Sequence, residues 1–389
     1  VRAYVLIQTI GDLGAITPTV QAIPGIVSTE RVGGPYDVIA IARIGSSGRA
    51  IQEIIEDIRS LPGVLRALPA VLTREIPGPG GLGGPGVTRS GVRAGGTPMR
   101  AVDEQTILVT GATDGLGRAL AREIAARGAT LLVHGRSQTR LDETLAEIRA
   151  ATGNRRLRPV LADLSSLDQV RRLARDVTAG TDRLDVLVNN AGIGSDARRS
   201  RREESADGYE LRFAVNYLAP FVLTNLLLPL LRRSAPSRIV NVASVGQAPI
   251  DFDDVMLERS YEGFRAYRQS KLAQIMFTFE LADRLRATGE RGVTVNALHP
   301  ASLMPTKMVF ESYDSVMSSI EEGVEPTLRL AISPDVEGVT GRYFDRLHEA
   351  RADEQAYDPE ARRRLWKLSE ELGGLSESLG GLSAPAISR

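Results

Sequence analysis

No packed domain can run through the stretch PGPGGLGGPG that begins at Pro77. Proline has no amide hydrogen and a fixed φ, and glycine loses the most freedom on ordering, so the run sustains neither helix nor strand. Low-propensity residues continue from about Ile76 to Arg100. As a flexible coil of roughly 25 residues they would span about 25–30 Å root-mean-square. The chain therefore divides into a segment of residues 1–75, a flexible linker of 76–103 and a larger segment of 104–371. The tail 372–389 is small and polar enough to be disordered. Each of the two folded segments must supply its own core.

The totals mainly exclude. At 42% hydrophobic and 25% charged residues, the 389-residue chain has the composition of a soluble protein able to bury a core. A formal net charge of zero provides no overall field toward nucleic acid or anionic membrane. There is no cysteine, which rules out disulfides, thiolate metal sites, iron–sulfur clusters and a cysteine nucleophile. His134, His299 and His348 form no HxH or HxxxH pair, so no metal site is expected. The apolar run FVLTNLLLPLLRR from Phe221 contains a proline and falls short of the roughly 18–20 residues of a membrane span. VRAYVLIQTIGD at the N-terminus lacks a small-residue cleavage site and does not read as a signal peptide. The expected location is the cytoplasm.

The smaller segment echoes itself. A strand-like run from Ala3 to Thr9 is followed by a short helix near Ile16 to Ala22 and then IPGIV. Next come DVIAIARI from Asp37 to Ile44, an amphipathic helix from Ala50 to Ser60 and then LPGVL. Ile51, Ile54, Ile55 and Ile58 recur at helical spacing among Glu53, Glu56, Asp57 and Arg59. The reading is βαβ twice, a small ferredoxin-like α+β domain with helices on one face of the sheet. The other face needs a cover. With VGGPYDV at Val32 to Val38, the segment resembles the ligand-binding dimerisation domain of the Lrp/AsnC regulators. That resemblance implies a homo-oligomer packed sheet to sheet and a small effector between subunits; a dimerisation module without ligand is the plainer alternative. The helix-turn-helix module usual in that family is missing, so DNA binding is not implied.

From Gln105 the text changes. TILVT, Thr106 to Thr110, is a short buried-type strand, and TGATDGLGRALAREIAARG follows at once. Gly111, Gly115 and Gly117 form GxxxGxG between that strand and a helix with an apolar face of Leu116, Leu120, Ile124 and Ala125. Such glycines permit a tight turn and close backbone approach, while the helix N-terminus offers free amides to a pyrophosphate. Strand-like runs continue at Thr130–Gly135, Leu157–Asp163, Asp185–Gly192, Arg238–Ser244 and Val293–Pro300, with GRYF at Gly341 as a seventh. Near-continuous apolar strands separated by helices predict a doubly wound (Rossmann) parallel seven-stranded sheet, with ligands at the strand carboxyl ends.

The chemistry concentrates in YRQSK. Tyr267 and Lys271, four apart on a helix, share a face. An ammonium beside a phenol favours the phenolate, so the tyrosine pKa is expected to fall toward working pH. That suits a proton shuttle at a carbonyl or alcohol oxygen, with Ser244 donating to the same oxygen. By itself YxxxK is most often a surface pair. Here TGxxxGxG, Asp163, NNAG at Asn189, Asn216, Ser244 and YxxxK follow in order, and residues 104–371 resemble the short-chain dehydrogenase/reductase family.

The resemblance implies roles. Tyr267 is the acid/base, Lys271 binds the nicotinamide ribose and tunes Tyr267, Ser244 polarises the substrate oxygen, and Asn216 anchors a water of the proton relay. Gly111, Asp114, Gly115, Leu116 and Gly117 hold the dinucleotide, Asp163 and Leu164 meet the adenine, and Asn189, Ala191 and Gly192 line the adenosine side. There are departures. APIDFDDVMLERSYEGFRA lengthens the interval from Ser244 to Tyr267, and with SKLAQIMFTFEL it is similar to the retinol-dehydrogenase-like branch, which implies an apolar alcohol or carbonyl substrate. The family's proline-glycine reads Pro300-Ala301, and Thr306 best matches the threonine that contacts the carboxamide. After the second strand HGRS has no acidic residue for a ribose 2′-hydroxyl, whereas Arg136 suits a 2′-phosphate. Asp114 counts the other way, so NADP is the expected cofactor and NAD the alternative.

His134 and His299 read as strand-end packing, and ARRSRREES from Ala197 as a solvated or substrate-rim loop. The apolar helices near Phe213–Leu231 and Leu272–Leu285 read as core, although the family often uses them for subunit contacts. The function expected is an NADP-dependent oxidoreductase interconverting an alcohol and a carbonyl. The rival is a dinucleotide-sensing regulator without significant turnover. An epimerase or dehydratase fits poorly, since those relatives usually carry GxxGxxG. If the linker joins two self-sufficient modules, a chain beginning at Met99 should keep full reductase turnover; a well-folded but inactive truncation would refute that independence.

Overall fold

The computed structural model describes residues 2–9, 13–31, 38–43, 51–62, 64–70, 98–195, 201–312 and 316–375. They fall in two compact units, Val1–Arg93 and Ala94–Arg389. Residues 71–97, which hold most of the flexible linker expected at 76–103, the tail beyond 375, residues 196–200 of the basic loop and most of VGGPYDV lie outside the described residues.

The first unit runs β1 (Arg2–Thr9), α1 (Leu13–Gln21), β2 (Ile26–Arg31), β3 (Val38–Arg43), α2 (Ile51–Arg59) and β4 (Val64–Ala70). Its sheet has the order β2-β3-β1-β4 with antiparallel neighbours, the ferredoxin-like arrangement expected. Period-two alternation decides the buried face: Val5 and Ile7 of β1 and Val38, Ala40 and Ala42 of β3 pack in one cluster with Ile16, Val20, Ile54, Ile55 and Ile58 of the two helices. Ile39 and Ile41, on the alternate positions of β3, are only half-buried.

The second unit runs β5 (Thr106–Val109), α3 (Gly115–Ala126), β6 (Thr130–Gly135), α4 (Gln138–Thr152), β7 (Leu157–Leu161), α5 (Leu167–Gly180) and β8 (Val186–Asn189). A π-helical turn, Phe213–Leu218, leads into α6 (Ala219–Arg233), then β9 (Ser237–Val242), α7 (Gly263–Ala287) and β10 (Val293–His299). The chain continues through α8 (Lys307–Ser312), α9 (Ile320–Ile332), β11 (Arg342–Asp345), β12 (His348–Glu349) and α10 (Pro359–Leu372). Strand order is β12-β11-β10-β9-β8-β5-β6-β7. The seven expected strands are parallel, and the two-residue β12 adds an antiparallel edge against β11.

Both faces of this sheet are covered. Leu108, Leu187 and Ile239 pack with residues of α5, α6, α7 and α10, while Ile107, Val109, Val186, Val188 and Val240 pack with α3, α4 and α9. From β5 the chain moves to β6 on one side and later to β8 on the other, so the crevice lies beyond the carboxyl ends of β5 and β8.

One expectation is corrected here. Pro229 does not end the apolar run, because it sits within α6. With the π turn, Phe213–Arg233 makes a 21-residue stretch whose most apolar window has a mean hydropathy of 1.6, long and apolar enough to cross a membrane by length and composition. Inside this fold 83% of that stretch's most apolar window is buried, as in the core helix of a globular domain.

Candidate active site

The turn from β5 into α3 is fixed by contact distance. A Cβ on Gly117 would lie 2.1 Å from the Gly111 carbonyl oxygen, and one on Gly111, where φ is +64°, would lie 2.8 Å from Ala191 Cα. Any larger residue would force the helix away from the strand. Asn190 Nδ2 donates to the carbonyls of Thr110 (2.8 Å) and Gly111 (3.2 Å), and the Thr110 hydroxyl accepts from the amides of Asn190 and Ala191 at 2.9 and 3.0 Å. The ends of β5 and β8 are thereby tied together. Asp114 caps α3 by accepting from the Gly115 amide at 2.8 Å, and Arg140 approaches its other carboxylate oxygen at 3.5 Å. The amides of Leu116 and Gly117 remain in the first turn, where helix geometry supplies no partner. Thr306 lies against this turn, with Cγ2 2.8 Å from where a Cβ on Gly115 would stand.

Sequence reasoning missed the part played by His134. Its Nδ1 accepts from the Gly111 amide at 3.0 Å, and its Nε2 lies 3.1 Å from the Ala162 carbonyl oxygen, which requires the tautomer with hydrogen on Nε2. The ring thus joins the glycine turn to the end of β7. Burial pushes its pKa down to about 4. At the same ends, Arg136 is exposed and makes no ion pair among the described residues. Asp163 receives the amide and hydroxyl of Ser165 on one carboxylate oxygen, at 2.9 and 2.8 Å.

Several expected cofactor contacts are redirected. The Asn189 side chain turns into the core, donating to Thr224 Oγ1 at 3.0 Å and Asn241 Oδ1 at 2.8 Å, so only its backbone faces the crevice side. Leu116 and Leu164 are likewise packed in the two cores at 6% and 5% exposure, leaving their backbones alone for a ligand. Pro300 is buried. The interval from Ser244 to Tyr267 is anchored too: Ile250 exchanges hydrogen bonds with the Gln355 side chain, and Gln269 Nε2 donates to the Val255 carbonyl at 2.7 Å.

The candidate catalytic residues converge. Ser244, just past β9, lies near enough to the Tyr267 phenol to favour its ionised form, and its hydroxyl accepts from the Gly246 amide at 3.0 Å. Gly192 leaves the space between two of them: a Cβ there would stand 3.2 Å from Asn216 Oδ1 and 3.7 Å from Lys271 Nζ. Asn216 lies in the π turn, a local geometry frequent at functional sites. Its Oδ1 accepts from the Ile193 amide at 2.8 Å, and its Nδ2 donates to the Ile193 carbonyl and to Ser270 Oγ. Both donors are committed to protein, so the side chain fastens the β8 loop to α7.

The expected electrostatics are reversed. Burial raises the Tyr267 phenol above its ordinary value, against the opposing influence of the nearby Ser244 hydroxyl. Lys271 is pulled down to about 7, also by burial. Its Nζ stands 5.7 Å from the Tyr267 ring centroid and donates to the Val242 carbonyl and Gln274 Oε1, both at 2.9 Å. Desolvation outweighs the ammonium's pull because the ammonium is itself buried and aimed at carbonyl oxygens.

Comparison with known proteins places this geometry. The family model for the short chain dehydrogenase matches residues 105–315. Retinol dehydrogenase 13 of Mus musculus is 37% identical over 311 residues, 75% of this chain and 91% of its own length. Retinol dehydrogenase 14 of Homo sapiens is 39% identical over 318 residues, 75% of this chain and 92% of its own. A short chain dehydrogenase of Escherichia coli CFT073, solved in complex with NADPH, is 29% identical, with a TM-score of 0.51 over 62% of this chain and 96% of that one.

The two buried imidazoles generate a prediction. His134 and His299 are each lowered from 6.5 to about 4, so above pH 6.5 they are neutral whether the chain is folded or not. Between 6.5 and 4 the unfolded chain binds the extra protons, and stability must fall by on the order of 3 kcal/mol per histidine. Urea midpoints should drop steeply from pH 7 to 4.5 in the native chain, and a His134→Gln, His299→Gln variant should show a flatter profile.

Proposed function

Because the chain belongs to the short chain dehydrogenase family and is thereby an oxidoreductase of alcohols and carbonyls, we propose that it interconverts an apolar alcohol and its carbonyl with NADP. The observation that carries this reading is the junction at Gly192, where the crevice of the glycine turn meets Asn216 and Lys271. Ser244 and Tyr267 stand near each other, Ser244 just past β9 and Tyr267 in α7.

The residues fit a dinucleotide. A helix N-terminus with free amides suits a pyrophosphate, and the glycines keep side chains out of its path. Arg136, exposed and unpaired among the described residues, suits a 2′-phosphate, and Asp114 no longer argues against it, since its charge is turned onto Gly115 and offset by Arg140. The NADPH-bound neighbour supports the same choice. The apolar substrate rests on the retinol dehydrogenases, because retinol is an apolar alcohol.

Bound here, the nicotinamide would give or take the hydride. In carbonyl reduction Tyr267, whose phenol keeps its proton at neutral pH, donates it to the substrate oxygen while Ser244 holds that oxygen. The Lys271 ammonium stabilises the phenolate that forms, and Asn216 holds the Ile193 loop and α7 in register. For the first unit the proposal is an Lrp/AsnC-like module that pairs with a second copy and holds a small effector. The ferredoxin-like strand order and the half-buried Ile39 and Ile41 support it.

The test is NADPH oxidation by the purified chain over a panel of apolar aldehydes and ketones. Tyr267→Phe should lower kcat by about a hundred- to ten-thousand-fold. Undiminished turnover in that variant would remove the mechanism, and cofactor binding without turnover in the native chain would favour a regulator. Arg136→Ala should raise the KM for NADPH roughly ten- to a hundredfold while leaving NADH kinetics unchanged.

A further inference from the structure

Helix α7 brings a third residue to Lys271. Gln274, 1% exposed and one turn further on, presents its carbonyl oxygen to Nζ at 2.9 Å. An ammonium has three N–H donors. One goes to Gln274, one to the Val242 carbonyl, and the third is left for the crevice beside Gly192. Among the described residues no carboxylate lies within ion-pair distance of Lys271. The titratable groups around it are Tyr267 on its own helix and His299 from β10, and burial keeps His299 neutral beside Asp345 and Arg346. The charge of Lys271 is therefore supported by two uncharged carbonyl oxygens.

Gln274 is held for this contact at a cost. Thr278, one turn beyond, donates its hydroxyl to the backbone carbonyl of Gln274 at 2.8 Å, fixing the helix at that turn, and accepts from Asn241 Nδ2 at 2.8 Å. The Gln274 Nε2, by contrast, is buried without a partner. Leaving a buried donor unsatisfied costs about 1–3 kcal/mol. Rotating the amide would set N–H against the ammonium. An apolar residue of the same length would avoid the orphaned donor, so stability alone does not account for glutamine here.

Resting on the reading of Tyr267 and Lys271 as a catalytic pair, we propose that Gln274 is a positioning residue acting through Lys271: it keeps the ammonium charged and aimed at the crevice, and so sets the alkaline limit of carbonyl reduction. Gln274→Met removes the acceptor at nearly constant volume, whereas Gln274→Glu replaces it with a charged one. Lys271 is one of three lysines in the chain, with Lys307 and Lys367 exposed.

Trace acetylation with acetic anhydride across pH, quantified by peptide mass spectrometry on the full chain, reads Lys271 against those two references. The Lys271 midpoint should fall by about one pH unit in Gln274→Met and rise by about one in Gln274→Glu. The alkaline limb of NADPH-dependent reduction should move the same way in each variant, with the carbonyl KM changed less than about threefold. Labelling curves that superimpose on the native one overturn the proposal, as does lost turnover with no displacement of either limb. Should one variant fail to fold, the direction found in the other decides. A native chain that reduces no carbonyl would count against the catalytic reading, while the labelling would still judge the contact between Gln274 and Lys271.

Discussion

The approach of α3 to the end of β5 sets the position of everything else in the second unit. At Gly117 there is room for a hydrogen and nothing more, since a Cβ would meet the Gly111 carbonyl oxygen at 2.1 Å. That contact brings the amide-bearing end of the helix down onto the strand at the switch point, where β6 and β8 part to either side. The supporting bonds come from residues distant in sequence: Asn190 from the end of β8 and His134 from β6. A turn held from both flanking strands does not need loop rigidity of its own.

Burial then governs the chemistry. Tyr267 and Lys271 both lie where their charged forms are poorly solvated, so the phenol is raised and the ammonium lowered. A carboxylate next to Lys271 would hold its charge more firmly, but it would also repel a forming phenolate. Neutral carbonyls at Val242 and Gln274 support the ammonium without that repulsion. In the proposed reaction this arrangement would keep the field at Tyr267 positive once the phenol has given up its proton.

Reading the residues alone took the fold a long way. Glycine spacing between an apolar strand and an apolar helix face carries the turn, because both the φ demand and the packing demand are local. The βα alternation carries the sheet for the same reason, and β12 escaped because two residues leave no period to recognise. In the site, Ser244, Tyr267 and Lys271 were legible as types at spacings. The direction of their pKa values was not, since desolvation depends on what the rest of the chain piles over them. Asn189 and Asn190 are adjacent and identical in type, and strand parity alone sends the first into the core and the second to the turn. His134 looked like packing because its partners, Gly111 and Ala162, lie 23 and 28 residues away.

Tyr267, Lys271 and Gln274 serve one crevice only while α7 keeps its rotation about its own axis, and successive residues on a helix turn by about 100°. Both flanks of α7 hold that setting. On the sheet side Thr278 bonds Asn241, and Asn216 reaches across to Ser270. On the outer side Arg284 lies 4.2 Å over the Trp366 ring of α10 while bonding Glu280, and Arg362 of α10 meets Asp283 at 2.8 Å. Buried and half-buried ion pairs of this kind contribute little net stability, because desolvation and solvent screening offset their attraction. Contacts to other elements are strict about geometry, however: a rotation of α7 by one residue would break those to Asn241, Asn216, Trp366 and Arg362 at once. Helix α10 therefore supports the proposed site, since it helps to fix the face of α7 on which Tyr267, Lys271 and Gln274 stand.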